Sequence, residues 1–325
     1  MPEPLLEVRD LSVDYLTEAA DVRAVDQVSF TVKSGEFLGI VGESGCGKST
    51  LLFGVGQLLS PPGEVAGGEV IFHGRDMVRL DAGELQHLRW RDYSVVMQSA
   101  MNALNPMLSI GAQFKDTLEA HGDRSPEEIR QRSAEVLEMV GIDPIHLGSY
   151  PHQLSGGMRQ RAMIAMALLF TPQLVMMDEP TSALDVVAQR SLMSKIKDLQ
   201  QTLGFAVIFV THDMSVVRRF SDRVMVMYAG QIAEAARTDA IFARPLHPYS
   251  RGLMSAFPSV TGPRRELTGI PGSPPDLARP PSGCRFNPRC PEVMPQCLTR
   301  EPPLYQVGDA DVRCLLYEKQ AREAV

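Results

Sequence analysis

Alternating and continuous runs of apolar residues predict a series of strands along the chain. The segments LLEVRDLSVDY and AVDQVSFTV alternate apolar and polar residues, as strands with one buried face do. The segment EFLGIVG is continuously apolar and ends in glycine, as a fully buried strand would, and we expect a helix from about Lys48 to Leu59 to follow it. Further buried strands are predicted in QLVMMDEP and FAVIFVTHD, and a last pair between about Arg223 and Ala235. Together these elements predict an α/β fold.

The middle of the chain, from about Ser99 to Phe170, is polar and predicted to be rich in helix. Its clearest helix is SPEEIRQRSAEVLEMVG, in which Ser125 is the expected N-cap and Pro126 the first helical residue. Glu128 completes a capping box with Ser125, and Gly141 is expected to end the helix.

The composition changes in the last third of the chain. Twelve of the 24 prolines lie between Pro258 and Pro303. Because proline lacks a backbone N–H, this segment cannot be mainly helix or central strand. We therefore predict a domain boundary near residue 236, with a first domain over residues 1–235 and a loop-rich extension over residues 236–325.

Composition and charge narrow the class of protein. Hydrophobic residues make up 44% of the chain and charged residues 22%, which is typical of a globular protein. A net charge of −7 argues against a dedicated nucleic-acid binder. The opening MPEPLLEVRD shows no secretory signal, and the longest apolar run, AMIAMALLF, is far shorter than the roughly 20 residues that cross a bilayer. We therefore expect a cytoplasmic chain.

The segment GESGCGKST fits the phosphate-loop pattern G-x-x-x-x-G-K-S between a predicted strand and a predicted helix. Its glycines would turn backbone N–H groups toward phosphate oxygens, Lys48 would reach the β- and γ-phosphates, and the Ser49 hydroxyl would bind Mg²⁺. The alternative is a glycine-rich turn that has a packing role and binds no nucleotide. Cys46 is interpreted as a bystander in the loop rather than a catalytic thiol. The predicted nucleotide-binding residues are Gly42, Ser44, Gly45, Cys46, Gly47, Lys48, Ser49 and Thr50.

Two carboxylates follow the predicted strand LVMMDEP. Asp178 would hold Mg²⁺, and Glu179 would polarise the attacking water as general base. The alternative, a solvated acidic turn, is disfavoured because ligands bind at the carboxyl edge of such sheets. His212 ends the next strand and could orient the water at the γ-phosphate, although a lone histidine there is more often structural.

Further motifs give the chain a resemblance to the ABC transporter ATPases over about residues 5–255. LSGGMRQR resembles the signature sequence of that family, SALD its D-loop, and Gln98 in VVMQS its Q-loop glutamine. The resemblance implies that Gln98 contributes to catalysis and to Mg²⁺ binding, that His212 is the switch histidine and that Tyr15 stacks on adenine. It implies a P-loop NTPase (RecA-like) α/β core with antiparallel β and α-helical subdomains, the latter over about residues 99–170.

The signature supplies a second anion site at a helix N-terminus, because SGG precedes the strong helix former MRQRAMIAMALLF. In the family, this segment closes on ATP held by the other subunit of a head-to-tail dimer. The resemblance assigns that role to Ser155, Gly156 and Gly157, and the D-loop to Asp185. Met158 stands where the family usually has Gln; we expect function to survive, the alternative being a degenerate site.

Other segments resemble the dipeptide and oligopeptide importer ATPases, specifically their D-type subunit with a C-terminal cysteine motif. They are QSAMNALNPMLSIG, RPLHPYSRGLMSAFP and the proline–cysteine tail. The resemblance implies a motor at the cytoplasmic face of the membrane, with a second ATPase subunit in a heterodimer, two transmembrane permease subunits and an extracytoplasmic solute-binding protein. Nickel or sugar import is an alternative within that family. A non-transport ABC ATPase acting on nucleic acid or ribosomes is the alternative outside it.

Four of the five cysteines are spaced C-x5-C-x6-C-x16-C in the tail, at Cys284, Cys290, Cys297 and Cys314. Four thiolates suit tetrahedral zinc or an iron–sulfur cluster, and the wide spacing favours the cluster. The family resemblance implies a 4Fe–4S cluster, with zinc as the alternative. Two disulfides are disfavoured by the expected compartment, and free buried thiols by the clustering.

Overall fold

The computed structural model describes residues 3–18, 20–98, 103–122, 124–182, 184–256 and 269–323. Parts of three predicted segments lie outside these residues: positions 99–102 after Gln98, Ala183 of the SALD motif, and the end of RPLHPYSRGLMSAFP. Two compact units make up the chain. The first unit comprises Met1–Glu3, Lys33–Phe37 and Arg79–Phe209, and the second comprises Pro4–Val32, Leu38–Val78 and Val210–Val325.

The regular elements are listed here in chain order. The strands are β1 (Leu6–Leu16), β2 (Asp21–Val32), β3 (Phe37–Val41), β4 (Gly63–Phe72), β5 (Arg75–Asp76), β6 (Tyr93–Val96), β7 (Leu174–Asp178), β8 (Ala206–Val210), β9 (Arg223–Tyr228), β10 (Gln231–Arg237), β11 (Tyr305–Val307) and β12 (Ala310–Val312). The α-helices are α1 (Lys48–Val55), α2 (Ala82–Leu88), α3 (Ile110–Glu119), α4 (Pro126–Met139), α5 (Gly156–Ala167), α6 (Val186–Leu203), α7 (Met214–Phe220), α8 (Thr238–Ala243), α9 (Pro248–Ser255) and α10 (Glu318–Glu323).

The second unit contains an antiparallel sheet in the order β2-β1-β4-β5. Leu6 of β1 pairs with Val32 of β2 on one side and with Phe72 of β4 on the other. Leu6, Leu11 and Val13 are fully buried, and a register shift between Val8 and Leu11 interrupts the strict alternation of β1. Helix α1 approaches this sheet closely, because a Cβ at its Gly54 would lie 3.0 Å from the Val13 side chain.

The second unit also contains a mixed set of strands. β3 runs parallel to β9, β9 is antiparallel to β10, and the tail strands β12 and β11 continue the series. Glu234 of β10 pairs with Val312 of β12, so the loop-rich tail adds its two short strands to β10. Residues 269–303 consist of turns, irregular loop and short 3₁₀ helices, as expected from their prolines, whereas α8, α9 and α10 occupy other parts of the tail.

The first unit holds β6, β7 and β8 together with helices α2 to α6. β6 and β7 are parallel, with Val96 opposite Met177. Arg132 of α4 donates to the backbone oxygens of Leu168 and Leu169, each at 2.8 Å, and so satisfies carbonyls at the end of α5. Helices α4 and α5 are therefore joined by hydrogen bonds to backbone oxygens as well as by contact of their apolar faces.

The predicted bounds of helix α4 agree with the structure, whereas the predicted end of α1 does not. The Ser125–Glu128 capping box, Pro126 at the first turn and the end of α4 before Gly141 are confirmed. Helix α1 was expected to reach Leu59 but ends at Val55, because Gln57 adopts a positive φ of 51° that a helix cannot continue. Across the described ranges, every helix is too short or too polar to span a membrane.

Candidate functional site

The phosphate loop connects β3 to α1 in the second unit, as predicted. Gly47, the N-cap of α1, has φ of 100°, and a Cβ there would lie only 2.2 Å from the backbone oxygen of Ala24. Glycine alone meets both conditions, since L side chains avoid this backbone region and have no room here. Ser44 and Gly45 lie exposed on the same loop.

Lys48 lies back over the loop that precedes it. Its side chain is buried, and Nζ donates to the backbone oxygens of Gly42 at 2.9 Å and Glu43 at 2.8 Å. The amine also lies 3.7 Å from Sγ of Cys46. Burial raises the pKa of the Cys46 thiol, so this group is neutral near pH 7. A neutral, buried thiol is consistent with the bystander interpretation, which stays a prediction.

Tyr15 and Thr50 connect β1 to the end of the phosphate loop. The Tyr15 hydroxyl lies 3.2 Å from Oγ1 of Thr50. In the same unit, the backbone N–H of Thr211 donates to the oxygen of Ile40 in β3, and His212 follows it at an exposed position. The adenine-stacking role of Tyr15 and the switch role of His212 stay predictions.

The carboxylate pair lies at the end of β7 in the first unit. Asp178 is 1% exposed, whereas Glu179 is partly exposed and has φ of 45°, in the left-handed region that non-glycine residues seldom adopt. Gln98 Nε2 donates to Glu179 Oε2 at 2.9 Å. The structure therefore brings together two residues that the sequence predicted to act on one reaction. Strained backbone at such a position is typical of functional sites.

Gln160 is a contributor to this region that the sequence did not reveal. Its side chain is buried on α5, and Nε2 donates to the backbone oxygen of Pro180 at 2.6 Å. The turn after Glu179 is thus bonded to the helix that begins at the signature. The only signal available was its place within LSGGMRQR, which does not distinguish a structural from a functional glutamine.

The signature begins helix α5. Ser155 is the N-cap, and its hydroxyl accepts the backbone N–H of Met158 at 3.3 Å. Gly156 and Gly157 are the first two helical residues and present backbone N–H groups that no helical carbonyl can reach. Asp185 is the N-cap of α6, where Oδ1 accepts the N–H groups of Val187 and Ala188, each at 2.9 Å.

The four tail cysteines lie in the second unit, where Cys297 and Cys314 are buried and Cys284 and Cys290 are partly buried. The Cys284 N–H donates to the Cys297 oxygen at 2.9 Å. Burial, with further contributions from the neighbouring thiols, raises the pKa of Cys284 to about 11 and that of Cys314 to about 12. All the cysteines are free thiols.

Within the described part of the chain, no three His, Cys, Asp or Glu side chains are grouped so as to hold one metal ion. A single zinc ion bound by three or more of these thiols therefore has no support from this arrangement. The iron–sulfur cluster stays a prediction.

Two family models match separate parts of the chain. Residues 25–182 match the family described as ABC transporter. Residues 233–297 match the oligopeptide/dipeptide transporter C-terminal region. The chain is 42% identical over 318 residues to the dipeptide transport ATP-binding protein DppD of Caldanaerobacter subterraneus, covering 97% of this chain and 98% of DppD. It is 44% identical over 308 residues to the oligopeptide transport ATP-binding protein OppD of Salmonella typhimurium, covering 93% and 91% of the two chains.

A solved structure shares the fold. It is the dimeric post-hydrolysis state of the ATP-binding cassette MJ0796 bound to ADP and Pi, with a TM-score of 0.65 and 31% identity, covering 72% of this chain and 98% of MJ0796. Fold and motifs together define an ABC-type ATPase cassette. Within that class, the chain belongs to the family of dipeptide and oligopeptide transport ATP-binding proteins. The resemblance and the fold class predicted from the sequence are confirmed.

Proposed function

We propose that this chain is the ATP-hydrolysing motor subunit of an ABC importer that takes up dipeptides or oligopeptides. The observation that carries the proposal is identity of 42–44% to DppD and OppD over more than 90% of each chain. The match of residues 233–297 to the oligopeptide/dipeptide transporter region supports the peptide cargo in particular. The alternatives in which the cargo is nickel or a sugar lack such support.

The proposed reaction is transfer of the γ-phosphoryl group of ATP to water. Lys48 neutralises charge on the β- and γ-phosphates, and Ser49, Gln98 and Asp178 hold Mg²⁺, which supplies further positive charge there. Glu179 accepts a proton from the attacking water. The 2.9 Å bond from Gln98 to Glu179 supports this division of roles, because it orients a carboxylate beside a proposed Mg²⁺ ligand.

The remaining proposed roles concern the γ-phosphate, the adenine ring of ATP and the second subunit. His212 donates to the γ-phosphate, and Tyr15 stacks on adenine. Ser155, Gly156 and Gly157 contact ATP held by the partner subunit. The dimeric state of MJ0796, whose structure carries ADP and Pi, supports a paired arrangement of cassettes.

The motor requires partners of its own. We propose a second ATPase subunit, two transmembrane permease subunits and an extracytoplasmic solute-binding protein, with this chain peripheral at the cytoplasmic face of the membrane. The sequence analysis supports separate permeases, because the chain has no apolar run of spanning length.

We propose that Cys284, Cys290, Cys297 and Cys314 hold a 4Fe–4S cluster; the alternative, a single zinc ion, lacks support from the arrangement of these thiols in the described residues. The chemistry of the donor set supports the proposal, since four soft thiol ligands lie in one proline-rich segment. When bound, such a cluster supplies charge compensation for four thiolates. The chain's own contribution is the loop: Pro288, Pro291 and Pro295 stiffen it between the first three cysteines.

The transport proposal is tested in a strain that lacks this gene and needs an amino acid supplied only as a dipeptide. Complementation with the wild-type gene should restore growth and uptake of labelled dipeptide, whereas Lys48→Ala should not. Normal dipeptide and oligopeptide uptake in the deletion strain, with loss of nickel or sugar uptake, would contradict the proposal. Metal content is tested separately on protein purified without oxygen, where about four irons and four sulfides per chain are expected and one zinc would indicate the alternative.

A further inference from the structure

Glu43, the second residue of the phosphate loop, forms hydrogen bonds through its carboxylate, its backbone N–H and its backbone oxygen. Its carboxylate accepts two bonds from Arg289, from Nη1 at 2.6 Å and from Nη2 at 2.9 Å. Its backbone N–H donates to the Tyr249 hydroxyl at 2.9 Å. Its backbone oxygen accepts from Lys48 Nζ at 2.8 Å. Glu43 therefore bonds both to Arg289 in the tail and to Lys48, the residue proposed to bind phosphate.

Contacts with neighbouring residues hold the guanidinium of Arg289 in one orientation. The residue is 6% exposed and directly precedes Cys290. Its Nε donates to the Pro271 oxygen at 2.8 Å, and its guanidinium carbon lies 5.8 Å from the centre of the Tyr228 ring. A planar, two-bond arginine–carboxylate pair fixes geometry as well as supplying energy. The orientation of Glu43 is consequently set from outside the loop.

We propose that Arg289 is a positioning residue for the phosphate loop: through Glu43 it fixes the backbone carbonyl that holds Lys48, and so couples the C-terminal segment to ATP binding. This inference rests on the proposed function. Without Arg289, the Glu43 carboxylate turns to water, and the residue keeps only backbone bonds, of which the one to Tyr249 reaches outside the loop. Lys48 then starts from a less ordered position, and ordering it on ATP costs affinity.

The tail does not need Arg289 in order to dock. Arg285 forms an ion pair with Asp26 and donates to the backbone oxygen of Ala229. Arg251 of α9 pairs with Glu292. Phe286 packs edge-on against Tyr228, with ring centres 5.1 Å apart. These contacts keep the segment in place when the pair between Arg289 and Glu43 is removed, which separates positioning of the loop from attachment of the tail.

The experiment compares full-length Arg289→Met, Glu43→Gln and the double variant with the wild type. Steady-state hydrolysis of MgATP should show KM raised about tenfold in each single variant, about 1.4 kcal/mol in binding terms, with kcat within about threefold of wild type. The double variant should be no worse than either single one, because both remove the same interaction. Arg289→Lys, which keeps the charge without the fork, should be intermediate.

Arg285→Met is the matched control, since Arg285 lies in the same segment and pairs with a carboxylate outside residues 42–50. Its KM should stay within about twofold of wild type, below the tenfold threshold that defines the effect. An equal rise in KM for Arg285→Met would overturn the inference, because tail attachment alone would then explain the result.

Two further outcomes are decisive. If Arg289→Met does not fold, Glu43→Gln carries the test, because it alters one atom of a partly exposed side chain; a wild-type KM in that variant overturns the inference. A wild-type chain that fails to hydrolyse MgATP when assembled with its second ATPase subunit and permeases would overturn the proposed function and this inference with it. An active wild type, with both single variants unchanged, would overturn the inference alone.

Discussion

Gln98 donates to Glu179 across 2.9 Å, and the register of two parallel strands accounts for the contact. Val96 of β6 lies opposite Met177 of β7, and each of the bonded residues lies two positions beyond the paired residue of its own strand. Parallel neighbours end at the same edge of a sheet, so residues two positions beyond paired residues meet there. The pairing of the two strand backbones therefore places Gln98 and Glu179 next to each other.

Glu179→Gln should abolish turnover while leaving ATP bound. The change keeps the shape of the side chain but removes its capacity to accept a proton, so hydrolysis should fall by at least about 10²-fold. Phosphate release and equilibrium binding of MgATP measure the two effects separately. The bound variant should also accumulate as a closed dimer, which size-exclusion chromatography detects.

Glu138→Gln is the control for that variant, since it makes the same chemical change at an exposed position on α4. It should hydrolyse ATP at the wild-type rate. Normal hydrolysis in Glu179→Gln itself would disprove the assignment of the general base.

Gly47→Ala should disable the phosphate loop. The new Cβ would lie 2.2 Å from the Ala24 oxygen, and the φ of 100° adds backbone strain of about 1–3 kcal/mol. Because the clash is with backbone atoms, either the loop or the Ala24 backbone must shift to relieve it. Binding of MgATP, followed by titration calorimetry, should be lost or weakened more than tenfold.

Gly67→Ala serves as the comparison, because a Cβ at this position of β4 meets nothing within 4 Å. Its affinity for MgATP should equal that of the wild type. Wild-type affinity in Gly47→Ala would show that the loop is not held in the conformation described here.

Local signals explain which parts of the fold could be predicted. The capping box of Ser125 and Glu128 lies within four positions and was read directly from the sequence. The same pattern at Asp81 and Glu84, which begins α2, was not singled out, although the structure forms both of its bonds. Buried strands such as β7 were found because a run of apolar residues needs no knowledge of its partners.

Long-range pairing explains what was missed. The tail was expected to be loop-rich, and nothing in its short segments indicated that β12 would pair with β10, nearly eighty positions earlier along the chain. The ion pair between Glu43 and Arg289 joins residues 246 positions apart, and neither stands out by its own neighbours. Partners of this kind are set by tertiary packing, which a single sequence does not display.

Gly283→Ala should loosen the cysteine segment. Gly283 has φ of 68°, and a Cβ there would lie 2.4 Å from the Cys297 oxygen, which accepts the Cys284 N–H. The clash should break that bond and expose thiols that are now buried. Thiol labelling in the metal-free chain should therefore be faster than in the wild type.

Gly308→Ala separates the clash from backbone strain. Its φ of 61° is similar, but a Cβ meets nothing within 4 Å. Thiol labelling should match the wild type in this variant. Equal acceleration in both would mean that strain at positive φ, rather than contact with Cys297, controls access to the thiols.

His247 should make the fold sensitive to acid. The residue is 3% exposed, and Nδ1 accepts the backbone N–H of Tyr249 at 3.0 Å. Burial, with the nearby charge of Arg251, lowers the pKa of His247 from 6.5 to about 3. The unfolded chain binds a proton between these values and the folded chain does not, so stability falls as the pH drops below about 6.5 and is unaffected above it.

His247→Asn isolates this effect, because asparagine can also accept the Tyr249 N–H at the N-cap but does not titrate. Between pH 7 and pH 5, the wild type should lose about 2 kcal/mol more of its free energy of unfolding than the variant, as denaturant titrations at both pH values would measure. Glu234, whose pKa is raised by burial, acts in the opposite direction but is present in both chains and largely cancels. Equal losses in the two chains would show that His247 is protonated in the folded state, and that its buried environment is not as described.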